Sequence, residues 1–61
     1  MKIGEIWIGI KTRARIKITE ITPNAFNNDE LIFFDIMDDG LHAMMERKPF
    51  ILSYEKLHES R

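Results

Sequence analysis

Four basic residues early in the chain have the spacing of a binding strip on a β-strand. Arg13, Arg15 and Lys17 occupy alternate positions, and Lys11 lies just before them. Alternate residues of a strand project to the same side, so these cations should line one face. Trp7 is expected to point outward from the preceding strand and to flank them. Cations beside a stacking ring are typical of small barrels that hold single-stranded nucleic acid.

The middle of the chain carries the opposite charge. Residues 23–46 contain six acidic residues and no basic ones, whereas residues 1–22 contain five basic and two acidic ones. Asp38 and Asp39 are adjacent and Asp35 is near, but a metal or acid/base site also needs a further ligand or a desolvating pocket. A turn on a small domain offers neither. We interpret this acidic hairpin as a solvated tip, or as a face that contacts a basic partner or imitates nucleic-acid phosphates.

No other group of residues indicates catalysis. His42 and His58 are far apart in the sequence and the chain has no cysteine, so a zinc site would need both histidines to meet beside a carboxylate. Ser53 and Ser60 lie in no nucleophile motif, and no run of glycines could cradle a phosphate. We predict a protein that is not an enzyme and has no catalytic residue, metal site or cofactor.

The composition is typical of a small globular domain. The 61 residues are 44% hydrophobic and 31% charged, with a net charge of −1. A domain of about 60 residues buries only about 60% of its unfolded surface, which leaves little room for an enclosed substrate pocket. No apolar run approaches the roughly 20 residues of a membrane span. We expect one domain over residues 1–61, no membrane partner, and a cytoplasmic location, which suits a chain without disulfides.

Alternating apolar residues predict two strands in the first third of the chain. Gly4–Ile10 is expected to be the first strand, with its isoleucines at alternate positions. Arg13–Thr22 is the predicted central strand, to which its neighbours pair. The alternation breaks near Thr19–Glu20, which predicts a β-bulge there. Pro23 cannot donate to a sheet and should end the strand.

The second half of the chain predicts a hairpin followed by a short helix. Leu31–Met37 and Leu41–Glu46 are the expected strands, and Asp38-Asp39-Gly40 between them suits the positive φ values of a tight primed turn. Apolar residues in Pro49–His58 fall at helical spacing. A fifth strand through Phe50–Tyr54 is the alternative.

One face of each strand, together with the C-terminal element, should form the core. The predicted core consists of Ile6, Ile8, Ile16, Ile18, Ile32, Phe34, Ile36, Phe50, Tyr54 and Leu57, with Met44 or Met45. Phe26, in the loop before the third strand, should fold back over the open end. Closing a short bent sheet on itself protects its edges. The predicted fold is therefore all-β: a small Src-homology-3-like (SH3-like) barrel of four to five strongly bent antiparallel strands with a short C-terminal helix.

Several packing and turn residues together resemble a known group of proteins. They are Gly4-Glu5-Ile6-Trp7, Lys11-Thr12, Ile16-Lys17-Ile18, Ile21, the aromatic third strand, and Phe50 with Tyr54. This set resembles small SH3-like barrel proteins that bacteriophages and prophages carry, most of which lack an assigned function. The resemblance covers most of the chain except the longer, Asn-rich loop at Asn24–Asp29. It implies the fold and a mobile-element origin in a bacterial host cell, and it implies no catalytic motif.

These observations together predict a non-catalytic interaction module that binds and modulates a host or phage protein through a charged surface. The residues expected to contact the partner are Trp7, Lys11, Arg13, Arg15, Lys17, Asp35, Asp38 and Asp39. Leu31 and Phe33, with a methionine of the fourth strand, would add apolar contact. The alternative is a nucleic-acid-binding barrel that uses the basic strip beside Trp7. A second copy of the chain is another candidate partner, because an edge strand can pair with its own copy.

Overall fold

Five strands and one helix follow one another along residues 1–57, the part of the chain that this computed structural model describes. The elements are β1 (Ile6–Gly9), β2 (Arg15–Pro23), β3 (Glu30–Ile36), β4 (Leu41–Glu46), α1 (Arg47–Ser53) and β5 (Tyr54–Lys56). The strands pair antiparallel in the order β4-β3-β2-β1-β5 and form one open sheet. The predicted all-β class, with four to five antiparallel strands and a short helix, is confirmed. In residues 1–57 the edge strands β4 and β5 do not pair to close the sheet into the expected barrel.

The long strand β2 joins the two halves of the sheet. Its first residues pair with β1, and its whole length pairs with β3. The register shifts between Ile18 and Glu20, which leaves Thr19 as an extra residue without a partner in β3. This is the bulge that the broken alternation predicted. It returns Ile21 to the core side, opposite the buried Ile32.

Buried side chains lie on the predicted faces of β2 and β3. The buried residues of the hydrophobic core among positions 1–57 are Ile16, Ile18, Ile32, Phe34 and Phe50. Partly buried residues that pack against them are Trp7, Ile21, Ile36, Ala43, Met45 and Tyr54. We call the sheet side that carries these residues the inner face. Aromatic rings fill the centre of this face. Each such side chain buries roughly 150–250 Å², so the rings contribute much of the stabilisation of the fold.

Four of these rings form an aromatic cluster, which consists of Trp7, Phe34, Phe50 and Tyr54. The ring centroid of Phe50 lies 5.1 Å from Trp7, 5.5 Å from Phe34 and 4.9 Å from Tyr54. Phe34 and Tyr54 are 5.5 Å apart in an edge-to-face arrangement. In residues 1–57, the edge strands β4 and β5 are not hydrogen-bonded to each other. The core is therefore completed by side chains of α1 and β5 that pack in this cluster, and not by backbone pairing of the two edges.

The two sides of strand β1 are reversed relative to the prediction: the side predicted to face the core faces away from it. Trp7 is paired with the buried Ile16, and directly paired residues share a face, so Trp7 lies on the inner face. Ile6 and Ile8 are consequently on the other side of the sheet and are only half-buried. Their assignment to the core, and the outward orientation of Trp7, were wrong. Alternation separates two faces, but it does not say which one is buried.

The C-terminal part of the chain contains a helix and then a fifth strand. The strand is not at Phe50–Tyr54, as the alternative prediction had it, but at Tyr54–Lys56. The helix α1 begins at Arg47, before the expected start at Pro49, and ends at Ser53. Pro49 is the third residue of the helix. Backbone N–H groups in the first turn have no acceptor within the helix, so a proline, which lacks this group, removes no helical hydrogen bond there. Arg47 and Lys48, which precede this proline, are helical as well.

The end of the predicted helix is a strand instead. Tyr54 has extended backbone angles, φ −130° and ψ 151°, and starts β5. Leu57 follows the strand, is 39% exposed and does not belong to the core, although it was predicted there. His58, the predicted last residue of the helix, lies outside the described residues.

Two loops also differ from expectation. Between β3 and β4, one residue, Gly40, has a positive φ (71°). The primed two-residue turn that was expected needs two such residues. The connection is longer, from Met37 to Gly40, and is closed by the Gly40 N–H, which donates to the carbonyl of Ile36 at 2.8 Å. Phe26 does not cover the core, since its side chain is 96% exposed.

Hydrogen bonds hold the loop of Phe26 away from the core. The side-chain amides of Asn24 and Asn27 both donate to one carboxylate oxygen of Glu46, at 3.0 and 2.6 Å. The Phe26 N–H donates to the side-chain oxygen of Asn24 at 3.0 Å. These bonds fix the loop against the end of β4, so the position of Phe26 is set by polar contacts and not by burial of its ring.

Replacing Phe34 by Ala should unfold the protein. The ring is 2% exposed, and removing a buried Phe costs about 3–5 kcal/mol, comparable with the whole stability of a small domain, about 5 kcal/mol. Phe26→Ala makes the same chemical change on the surface and should alter stability by less than about 0.5 kcal/mol. Thermal unfolding followed by circular dichroism measures both. A Phe34→Ala variant with the melting temperature of the unaltered protein would contradict this core.

Candidate functional site

The sheet side opposite the core, which we call the outer face, carries an unusual mixture of apolar and charged side chains. Cross-strand pairing places one row across four strands and a second row beside it. The first row is Ile6, Lys17, Asp35 and His42; the second is Glu20, Phe33 and Met44; and Ile8 with Arg15 extends the face at one end. All of these residues are half-buried or exposed. No described helix or strand packs over them, because α1 buries its Phe50 on the inner face.

The charges on the outer face are paired across strands. Lys17 lies directly opposite Asp35, an arrangement of opposite charges that favours pairing of the two strands. Asp35 in turn accepts a hydrogen bond from Nδ1 of His42 on β4. Among the residues predicted to bind a partner, Arg15, Lys17 and Asp35 therefore share one surface. Their apolar neighbours on that surface include Phe33 and Met44, as the sequence predicted.

The other predicted contact residues meet at one end of the sheet. Lys11 and Arg13 lie between β1 and β2, and Asp38 and Asp39 lie between β3 and β4. Because the start of β2 pairs with the end of β3, these two connections are neighbours, and the Met37 N–H donates to the carbonyl of Arg15 at 2.9 Å. The basic and acidic segments are separate in the sequence but adjacent in the fold.

Arg13 does not belong to the strand on which it was predicted. It has a positive φ of 60° and precedes the start of β2 at Arg15. Its guanidinium lies 3.5 Å from the carboxylate of Glu55 on β5. The predicted strip of evenly spaced cations is thus reduced, within β2, to Arg15 and Lys17.

Trp7 is held on the inner face by a polar contact as well as by packing. Its indole N–H donates to Oε1 of Glu5 at 3.1 Å, and Nζ of Lys56 lies 3.1 Å from Oε2 of the same carboxylate. The hydrogen bond from Trp7, and then those from Lys56 and the Lys2 backbone, outweigh partial desolvation and lower the pKa of Glu5 from 4.5 to about 2. The ring is therefore not placed to stack against a ligand on the outer face.

Sequence reasoning missed four outer-face residues, which are Ile6, Ile8, Glu20 and His42. The isoleucines were assigned to the core, and His42 was considered only as a metal ligand. The missing signal was the pairing of β1 with β2, which places Ile6 beside Lys17.

Within residues 1–57, no group of three or more His, Asp or Glu side chains has a metal-binding arrangement. No helix in that range is both long and apolar enough to cross a membrane.

Comparison of the chain with protein-family models, with curated proteins and with solved structures finds no match. The resemblance to small phage and prophage barrel proteins therefore stays a prediction.

The contacts of Glu5 predict how stability depends on pH. The folded state holds this carboxylate ionised down to about pH 2, whereas the unfolded chain protonates near pH 4.5. Its contribution is therefore fully present above pH 4.5 and is lost as the pH falls toward 2. Glu5→Gln should lower the free energy of unfolding at neutral pH and reduce its decline between these two pH values.

Urea denaturation at neutral pH, at pH 4.5 and near pH 2 measures this effect. Glu20→Gln is the matched control, because Glu20 is exposed on the outer face, and it should keep the pH dependence of the unaltered protein. An equally steep decline in Glu5→Gln would show that the contacts of Glu5 do not stabilise the fold.

Proposed function

We propose that this chain is a non-catalytic interaction module that binds a protein partner through its outer face. One observation carries the proposal: apolar side chains are interleaved with paired charges on a sheet face that the described elements leave uncovered. The identification of the partner as a host or phage protein, whose activity the module modulates, rests on the resemblance seen in the sequence.

Apolar residues on the outer face support a protein partner. An antiparallel sheet with one solvated face normally carries polar residues on that face. Here Ile6, Ile8, Phe33 and Leu31 are half-buried on it, and Met44 is 54% exposed. Apolar patches with polar borders are typical of protein interaction sites, and methionine adapts to irregular contact surfaces.

The charges of the outer face favour a partner with both signs of charge. Arg15 and Lys17 lie beside Asp35 and Glu20, so positive and negative groups alternate over a short distance. Complementary charges across an interface fix its orientation and exclude wrong partners more than they increase affinity. A partner surface with a central apolar contact and flanking acidic and basic groups fits this arrangement.

The nucleic-acid alternative has less support. Trp7, its stacking residue, packs in the aromatic cluster. Arg13 lies beside Glu55, and Lys17 lies opposite Asp35. A polyanion approaching the remaining cations would also meet Asp38 and Asp39 at the same end of the sheet. Phosphate contacts dominate the affinity for nucleic acids, so these carboxylates oppose binding.

A charge exchange on the outer face tests the proposal. Lys17→Asp combined with Asp35→Lys keeps the net charge and leaves opposite charges facing each other across β2 and β3, but it inverts the local polarity. Arg13→Glu combined with Glu55→Arg is the matched control, since it inverts an ion pair at the end of the sheet. A partner captured from extract of host cells with the unaltered protein is purified, and calorimetry measures its affinity for each variant.

We expect the outer-face exchange to weaken binding about tenfold or more, because like charges then meet across the interface. The control exchange should bind as the unaltered protein does. Equal affinity of all three proteins would contradict the proposal.

Fluorescence anisotropy with single- and double-stranded oligonucleotides, at about 50 and 200 mM salt, tests the nucleic-acid alternative. Micromolar, salt-sensitive binding that Arg13→Glu with Arg15→Glu abolishes would favour the nucleic-acid alternative.

A further inference from the structure

The open sheet ends in two edge strands that differ in length and chemistry. An edge strand presents unpaired backbone N–H and C=O groups that can template another strand, and proteins usually protect it with charge, proline, bulges or shortness. In residues 1–57, β5 and β4 are the two edges of the sheet.

The β5 edge has two of the protective features. It is three residues long, and two of its residues, Glu55 and Lys56, are charged. Both are exposed, and each lies in an ion pair, with Arg13 and Glu5 respectively. A second chain would find few backbone groups here and would have to approach two charged side chains.

The β4 edge has none of these features along its centre. It spans six residues, contains no proline or lysine, and pairs with β3 in an unbroken register without a bulge. Its two ionisable residues are already engaged, His42 with Asp35 and Glu46 with the Asn24 and Asn27 amides. The residues between them are apolar, and Met44 and Leu41 are 54% and 59% exposed.

The backbone of β4 is also free to accept a partner strand. Its backbone pairs with β3, and its last residue, Glu46, is the N-cap of α1. The loop bonded to Glu46 covers only the C-terminal end of the strand. Within residues 1–57, no loop is hydrogen-bonded to the N-terminal end or to the middle of this edge.

We infer that β4 is a self-association strand, through which two copies of this chain pair antiparallel about a two-fold axis. An antiparallel pair of identical strands is self-complementary, which is the requirement of a two-fold interface. A second copy supplies the same regular, centrally uncharged edge, and a net charge of −1 gives little repulsion between copies. The pairing would join two five-stranded sheets and make their outer faces continuous.

The two-fold axis should pass beside Met44. Directly opposed residues share a face, and Met44 is the exposed apolar residue of β4 on the outer face. With Met44 opposite its own copy, two methionines would pack together, and His42 would lie opposite Glu46 of the second copy. Directly opposed Cα atoms of antiparallel strands are about 4.5–5.5 Å apart, which is within the range of a disulfide, about 4.4–6.8 Å.

A single-cysteine variant tests this geometry directly, because the chain contains no cysteine. Met44→Cys should form a disulfide-linked dimer under mild oxidation, seen on a non-reducing gel. Met37→Cys is the matched control, since Met37 is 49% exposed but lies in the turn outside β4. It should stay largely monomeric under the same conditions. Equal cross-linking of the two variants would overturn the inference.

Sedimentation tests the association without a covalent link. An edge-to-edge contact is small, so the measurement should extend to about 0.5 mM protein. The average mass should rise from 7.2 kDa toward twice that value. Met44→Lys should abolish this rise, because two lysines would meet at the axis, whereas Met37→Lys should keep it. A monomer at every concentration, or a rise that Met44→Lys leaves intact, would overturn the inference.

Discussion

The packing of Phe50 against Trp7, Phe34 and Tyr54 is the interaction on which the rest of the structure depends. The two edge strands do not pair with each other in residues 1–57, so the backbone alone leaves the sheet open. Phe50 is fully buried and places its ring against residues of β1, β3 and β5. With few residues available for a core, these rings provide a large share of the buried apolar area.

The position of the rings on the inner face determines which side chains lie on the outer face. Because Trp7 points inward, Ile6 and Ile8 must lie on the opposite side of β1, next to the cations of β2. Strand β5 pairs with β1, and its Lys56 lies in an ion pair with Glu5, so this edge is short and charged. The surface that results has apolar and charged groups on one face and one unprotected edge.

Much of the fold could be predicted from the sequence, because strand alternation, the bulge near Thr19–Glu20 and the hairpin residues are local signals. The orientation of β1 could not, since it depends on which residue of β2 lies opposite Trp7. The exposure of Phe26 was also hidden, because it depends on amides that bind Glu46 about twenty residues away. For the candidate site, the sequence supplied Arg15, Lys17 and Asp35 but not their apolar neighbours on β1.

Unfolding of a Phe50→Ala variant, followed through the fluorescence of Trp7, tests whether the aromatic cluster holds the fold together. Trp7 is the chain's single tryptophan and its ring centroid lies 5.1 Å from that of Phe50. We expect the free energy of unfolding to fall by about 3–5 kcal/mol, so that Trp7 emits as in the unfolded chain even without denaturant. Cooperative unfolding at the denaturant midpoint of the unaltered protein, with unchanged Trp7 emission, would contradict the central role of the aromatic cluster.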